Sequence, residues 1–131
     1  MLFRSCLLRG LGEQRVDYTR RERDPAVETE GDVAVARIEA IIGQLEQIGM
    51  DHVGDELLVR VETGDRDTRS LWCRSSLLRE LQFLLSHTIH HFALIATQLE
   101  AQGVELGRDF ADFGVSPTTL DHWRRTGTLS G

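Results

Sequence analysis

Leu77-Leu78-Arg79-Glu80-Leu81-Gln82-Phe83-Leu84-Leu85-Ser86-His87-Thr88-Ile89-His90-His91-Phe92-Ala93-Leu94-Ile95 continues to Gln102 without a glycine or proline, and Gly103 then supplies a stop. At about 100° per residue, Leu78, Leu81, Leu85, Ile89, Phe92, Ala96 and Leu99 cover one broad side of a helix. Glu80, Phe83, Leu84, His87, His90, His91, Leu94 and Gln98 share the other. Ser75 or Ser76 is placed to cap it. A helix this apolar nearly all round is expected at the centre of a bundle, with neighbours on both faces.

Three imidazoles interrupt that run. His87 and His91 stand four residues apart, hence one turn apart on the same face. The pair reads two ways. Each ring is a core histidine with its own hydrogen-bond partner, or both are ligands of one metal, since neutral imidazole is the commonest protein ligand for first-row metals. A buried, unpaired ring costs about 1–3 kcal/mol, so a shared ion would satisfy two costly groups together. His90 points about 60° to the side and reads as a surface group or as one supporting a ligand. Glu80 lies two turns before His87 on the same face, either as an ordinary helix-start carboxylate or as a group orienting an imidazole. His52 and His122 read as surface histidines. No nucleophile elbow, phosphate-binding glycine loop or H-E-x-x-H motif occurs.

Outward from this helix, residues 2–10 look like the end of another, with Phe3, Leu7 and Leu8 on one side and Gly10 as its stop. Residues 11–31 read as a long polar connection carrying Tyr18 and the arginines Arg20, Arg21 and Arg23. Asp32 is a candidate N-cap for a helix through Val35, Ile38, Ile41, Ile42 and Leu45, ending near Ile48-Gly49. Glu56 to Glu62 has strand composition. Gly64-Asp65 is a turn signal, and Thr68 to Cys73 returns as a second short strand. Beyond Gly107 the chain is mostly irregular, apart from a short helix opened by Ser116-Pro117 and containing Leu120 and Trp123.

Composition fits one soluble domain. The chain has 131 residues, 40% hydrophobic and 27% charged, enough for a real core. Its net charge of -6 argues against a general nucleic-acid binder. All 15 basic residues are arginines, and those near Arg21 alternate with Glu22 and Asp24 as a solvated, ion-paired run would. Cys6 and Cys73 form no CxxC or CxxH arrangement and read as small buried residues in a reducing cytosol. No apolar run reaches the roughly 18 residues of a membrane span, and the start lacks a long secretory core. The expectation is a cytoplasmic protein with neither nucleic-acid nor membrane partners.

The run Glu80-Leu81 through Ser86-His87-Thr88-Ile89-His90-His91-Phe92-Ala93-Leu94-Ile95, with Phe113-Gly114-Val115-Ser116-Pro117-Thr118-Thr119-Leu120, resembles the DinB-like (YfiT-like) family of metal-dependent enzymes. Val16-Asp17-Tyr18, Arg21-Glu22-Arg23-Asp24-Pro25 and Val27-Glu28-Thr29 are similar to a loop of one branch of that family, so the resemblance touches residues 3–120. It implies a mainly α, four-helix bundle, one domain over residues 1–131 that is incomplete at its N-terminus, and the short hairpin read from residues 56–73 would lie between its last two core helices. It also implies a homodimer and a divalent metal (Zn, Ni, Mn or Fe) on three histidines. His87 and His91 would be two ligands, while Leu2 stands where the third histidine is expected. Tyr18, Arg21 and Arg23 would form a substrate loop over the site.

The function expected on that resemblance is thiol-dependent S-transfer, with a low-molecular-weight thiol as partner, or metal-assisted hydrolysis of a small molecule. The rival from another class is a non-catalytic, truncated or degenerate helical domain acting by dimerisation.

Overall fold

The computed structural model describes residues 2–20, 22–62, 71–105, 107 and 112–127, with residues 2–4 as backbone alone. The chain divides into two compact units, Met1–Leu81 and Gln82–Gly131.

In the first unit α1 (Leu2–Leu11) leads through a turn into β1 (Arg15–Asp17). Gln14, at φ 52°, makes the bend. Then come α2 (Pro25–Thr29), α3 (Gly31–Glu46), a 3₁₀ turn at Met50–His52, β2 (Glu56–Arg60) and β3 (Trp72–Ser76). The sheet order is β1-β2-β3, with β1 parallel and β3 antiparallel to β2. Val16 pairs with Val59, and Val59 in turn with Cys73. Bonds from Leu58 N–H to Gln14 O (2.9 Å) and from Tyr18 N–H to Arg60 O (2.8 Å) extend the parallel ladder at both ends.

Along β2, Leu57 and Val59 face inward between Glu56, Leu58 and Arg60, the period-two pattern of a sheet with one covered face. They are buried, as are Val16, Tyr18, Cys6 and Leu7 of α1, Ile41 of α3 and Leu77. Gly10 permits the approach of α1 to β1: a Cβ there would lie 2.9 Å from Val16 Cα. Asp24 caps α2 by accepting from Ala26 N–H at 3.1 Å, with Pro25 in the first turn, where its missing N–H costs nothing.

The four-helix bundle expected from the sequence is not the architecture. The core of this unit is built on a three-stranded mixed sheet, and the polar stretch 11–31 contains β1 and α2 rather than a continuous connection. The physical reason lies in three short apolar contributions, Val16, Leu57 and Val59. They bury their side chains by pairing backbones, a solution that requires no helical stripe. Other boundaries also move. The N-cap of α3 is Glu30 instead of Asp32, and the helix ends at Glu46. The expected turn at Gly64-Asp65 and the start of the return strand at Thr68 lie outside the described residues. β3 itself runs past Cys73 to Ser76.

α4 (Leu77–Ala101) begins where β3 ends, and Ser76 serves both, its hydroxyl accepting from Arg79 N–H at 3.3 Å. At the other end Gly103, at φ +76°, donates to Glu100 O (2.9 Å) and Val104 N–H donates to Leu99 O (3.0 Å). This is the paired closure of a left-handed C-terminal cap. In the second unit the Phe92 and Phe113 rings stack 4.4 Å apart. Gly114, at φ +78°, lies so close to α4 that a Cβ would be 2.5 Å from Ala93 N and Cα. α5 (Pro117–Thr126) starts at Ser116, which accepts from Thr119 N–H, and stops at Gly127, φ 71°. Contrary to a bundle-centre helix, α4 leaves Leu78, Leu85, Leu94 and Ile95 exposed. No helix among the described residues is long and apolar enough to cross a membrane.

Candidate functional site

Helix geometry brings His87 and His91 together. Their Nε2 atoms are 3.0 Å apart, with ring centroids 4.5 Å apart and planes at 81°. Phe83, one turn earlier, stacks on His87 at 5.6 Å and 26°, fixing one ring of the pair. His90 lies edgeward of His91, centroids 5.9 Å apart, and its ring does not join the Nε2 pair. His87 is half-buried, whereas His90 and His91 are exposed. Thr88 turns its hydroxyl back onto Leu84 O at 2.6 Å, keeping that polar group within the helix.

Without an ion, one Nε2 must carry a proton and donate to the other. With an ion, both accept it as lone-pair donors. Two nitrogens each about 2.1 Å from a common ion are about 3.0 Å apart at a right angle and about 3.4 Å apart at the tetrahedral angle. The observed 3.0 Å fits the first and reaches the second by small ring rotations. The pair therefore fits two neighbouring positions on one divalent ion. It does not make a full centre: among the described residues no group of three His, Cys, Asp or Glu side chains is placed to hold a metal.

The remaining expected residues assemble elsewhere. Glu80 is buried in the first unit, 5% exposed, and both its oxygens are occupied. Tyr18 Oη–H donates to Oε2 at 2.9 Å and Ser75 Oγ–H to Oε1 at 2.5 Å. Tyr18 is 1% exposed; burial first, and then the Glu80 carboxylate, push its phenol above the ordinary range, so it stays a proton donor. Tyr18 is thus a core residue tying the turn after β1 to the start of α4. Arg23 is exposed, and Arg21 lies outside the described residues. His52 bonds Asp55 at 3.1 Å, and His122 is exposed on α5.

Sequence reading missed the partners that come from strand pairing. Ser75 reaches Glu80 because β3 runs directly into α4. Asp17 accepts from the Arg60 guanidinium across the parallel ladder, and from Thr19 at 2.7 Å. Burial alone would raise the Asp17 pKa; the hydrogen bonds from Arg60 and Thr19 overcome this and lower it to about 2. Arg15 and Arg60 both lie over the Trp72 ring, at 4.6 and 5.1 Å. The local signal for these was the strand composition of residues 56–62.

The comparisons with known proteins overturn the resemblance drawn from the sequence. No protein-family profile matches the chain, the DinB-like family included, and no solved structure matches it. A curated relative is FK506-binding protein 5 of Rhizopus delemar, 29% identical over 111 residues. That match covers 84% of this chain but 28% of the relative, so the chain spans about a quarter of its length. With a mixed sheet, no three-ligand cluster among the described residues and this similarity in another direction, the description as a DinB-like metalloenzyme is withdrawn. What stands is the histidine pair itself, on its own geometry.

Proposed function

We propose that His87 and His91 bind a divalent cation. The observation carrying this reading is the 3.0 Å separation of two Nε2 atoms at the protein surface. Two ligands from one helix leave the remaining positions of an ion to other donors, so binding by one chain is weak and not strongly selective among Zn, Ni, Mn and Fe. On the protein side, Phe83 holds the His87 ring, and the helix holds the two nitrogens on one ion-facing edge. A cytoplasmic setting belongs to the same proposal; the unpaired thiols of Cys6 and Cys73 support it.

The test is metal content. In equilibrium dialysis against Zn, Ni, Mn or Fe, the purified chain is expected to retain ion in excess of the bath. A His87→Ala/His91→Ala variant is expected to retain none. Equal, negligible ion in both would remove the reading.

A further inference from the structure

We propose that the cleft between α1, α2 and α3 binds a zwitterion, an α-amino acid with an apolar side chain, whose carboxylate meets Arg37 and whose ammonium meets Glu28. The cleft lies within the first unit, whereas the histidine pair belongs to the second, and neither site depends on the other.

The observation carrying this is a segregation of charge in one cavity of about 310 Å³, at the small end of the roughly 300–1,000 Å³ of ligand pockets. Helices α1 and α3 supply its cations, Arg9 and Arg37, and residues 22–28 supply its anions, Glu22, Asp24 and Glu28. Three of these five are already engaged. Arg9 pairs with Glu22 at 2.6 Å and donates to Arg20 O at 3.2 Å. Asp24 Oδ1 accepts from Ala26 N–H at 3.1 Å. Glu28 and Arg37 are left over: among the described residues their side chains make no hydrogen bond or ion pair, with each other or with any other group.

A cavity with one free charge of each sign selects by charge type. A simple anion would gain Arg37 but face Asp24 and Glu28, and a simple cation would gain Glu28 but face Arg9 and Arg37. A molecule bearing both charges is attracted at both walls, and an α-amino acid carries the two on one carbon. Its side chain also finds apolar neighbours. Val27 lines the same cavity, and Ser5, Arg9 and Arg37 border a second one of about 560 Å³ whose wall includes Leu8 and Ile41. Covering that wall adds apolar burial to the two ion pairs. Glu28 and Arg37 are exposed, so each pair contributes modestly, and the dissociation constant is expected on the order of 1 mM.

The experiment is an NMR titration of the full ¹⁵N-labelled chain with L-leucine in the presence of EDTA, which keeps metal from the histidine pair. Saturable shifts are expected at the backbone amides of Val27, Glu28 and Arg37. L-leucinamide lacks the carboxylate and N-acetyl-L-leucine lacks the ammonium, and each should bind about fivefold more weakly than L-leucine. Arg37→Gln should abolish the preference for L-leucine over L-leucinamide, and Glu28→Gln the preference over N-acetyl-L-leucine. Circular dichroism establishes that each variant retains its helix content.

The comparison of the three compounds on the unsubstituted chain stands whatever the variants do. Absence of a saturable shift at those amides, or equal binding of all three compounds, would overturn the proposal. So would an L-leucine affinity unchanged in both variants.

Discussion

Tyr18, Glu80 and Ser75 show how much a single polar residue decides here. A carboxylate 5% exposed is tolerated because two hydroxyls donate to it, one from a residue 62 positions away. Tyr18→Phe removes one donor while keeping the ring, and should destabilise the chain by about 1–3 kcal/mol in urea unfolding. A loss below a few tenths of a kcal/mol would contradict the contact. Asp17 gives a pH dependence of definite sign. Its folded pKa of about 2 lies below its ordinary 3.8, so it contributes stability above about pH 4 that is lost as the pH falls through about 2. Asp17→Asn should therefore lower stability at neutral pH and flatten the acid limb of the stability profile below pH 4. An unchanged acid limb would count against the Arg60 contact. At this scale the sequence disclosed His87 and His91, whose relation is one helical turn. It could not disclose Tyr18 with Glu80, whose relation depends on the tertiary fold.

At the scale of elements, legibility followed the range of the interactions. α4 was readable from Leu77 to its Gly103 stop because periodicity and capping are local, and Ser116-Pro117 marked α5 for the same reason. β1 was not readable. A three-residue strand with one inward apolar residue, Val16, has no pattern until β2 is beside it. Two glycines of nearly equal backbone conformation separate conformational from steric cost. Gly103 has φ +76° with open space around a would-be Cβ, and Gly103→Ala should cost about 1–2 kcal/mol from the left-handed backbone alone. Gly114 has φ +78° and also meets the Ala93 backbone at 2.5 Å, so Gly114→Ala must displace the segment carrying Phe113. Its loss of thermal stability should clearly exceed that of Gly103→Ala. Equal losses would show that the Gly114 approach to α4 is loose.

For the whole molecule, the expectation of a helical bundle failed for a reason visible in α4. An apolar helix reads as a bundle centre when nothing else is known, yet Leu85, Leu94 and Ile95 remain exposed while the first unit organises its core on a sheet. The same helix carries the histidine pair, with His87 half-buried and His91 exposed. The central claim is that His87 and His91 act together on one ion. Its most direct measurement is the imidazole ¹⁵N spectrum of the chain titrated with Zn²⁺. The account predicts that the Nε2 resonances of His87 and His91 move together and saturate together, while those of His52, His90 and His122 stay in place. Unmoved His87 and His91 signals, or equal shifts at all five histidines, would contradict it.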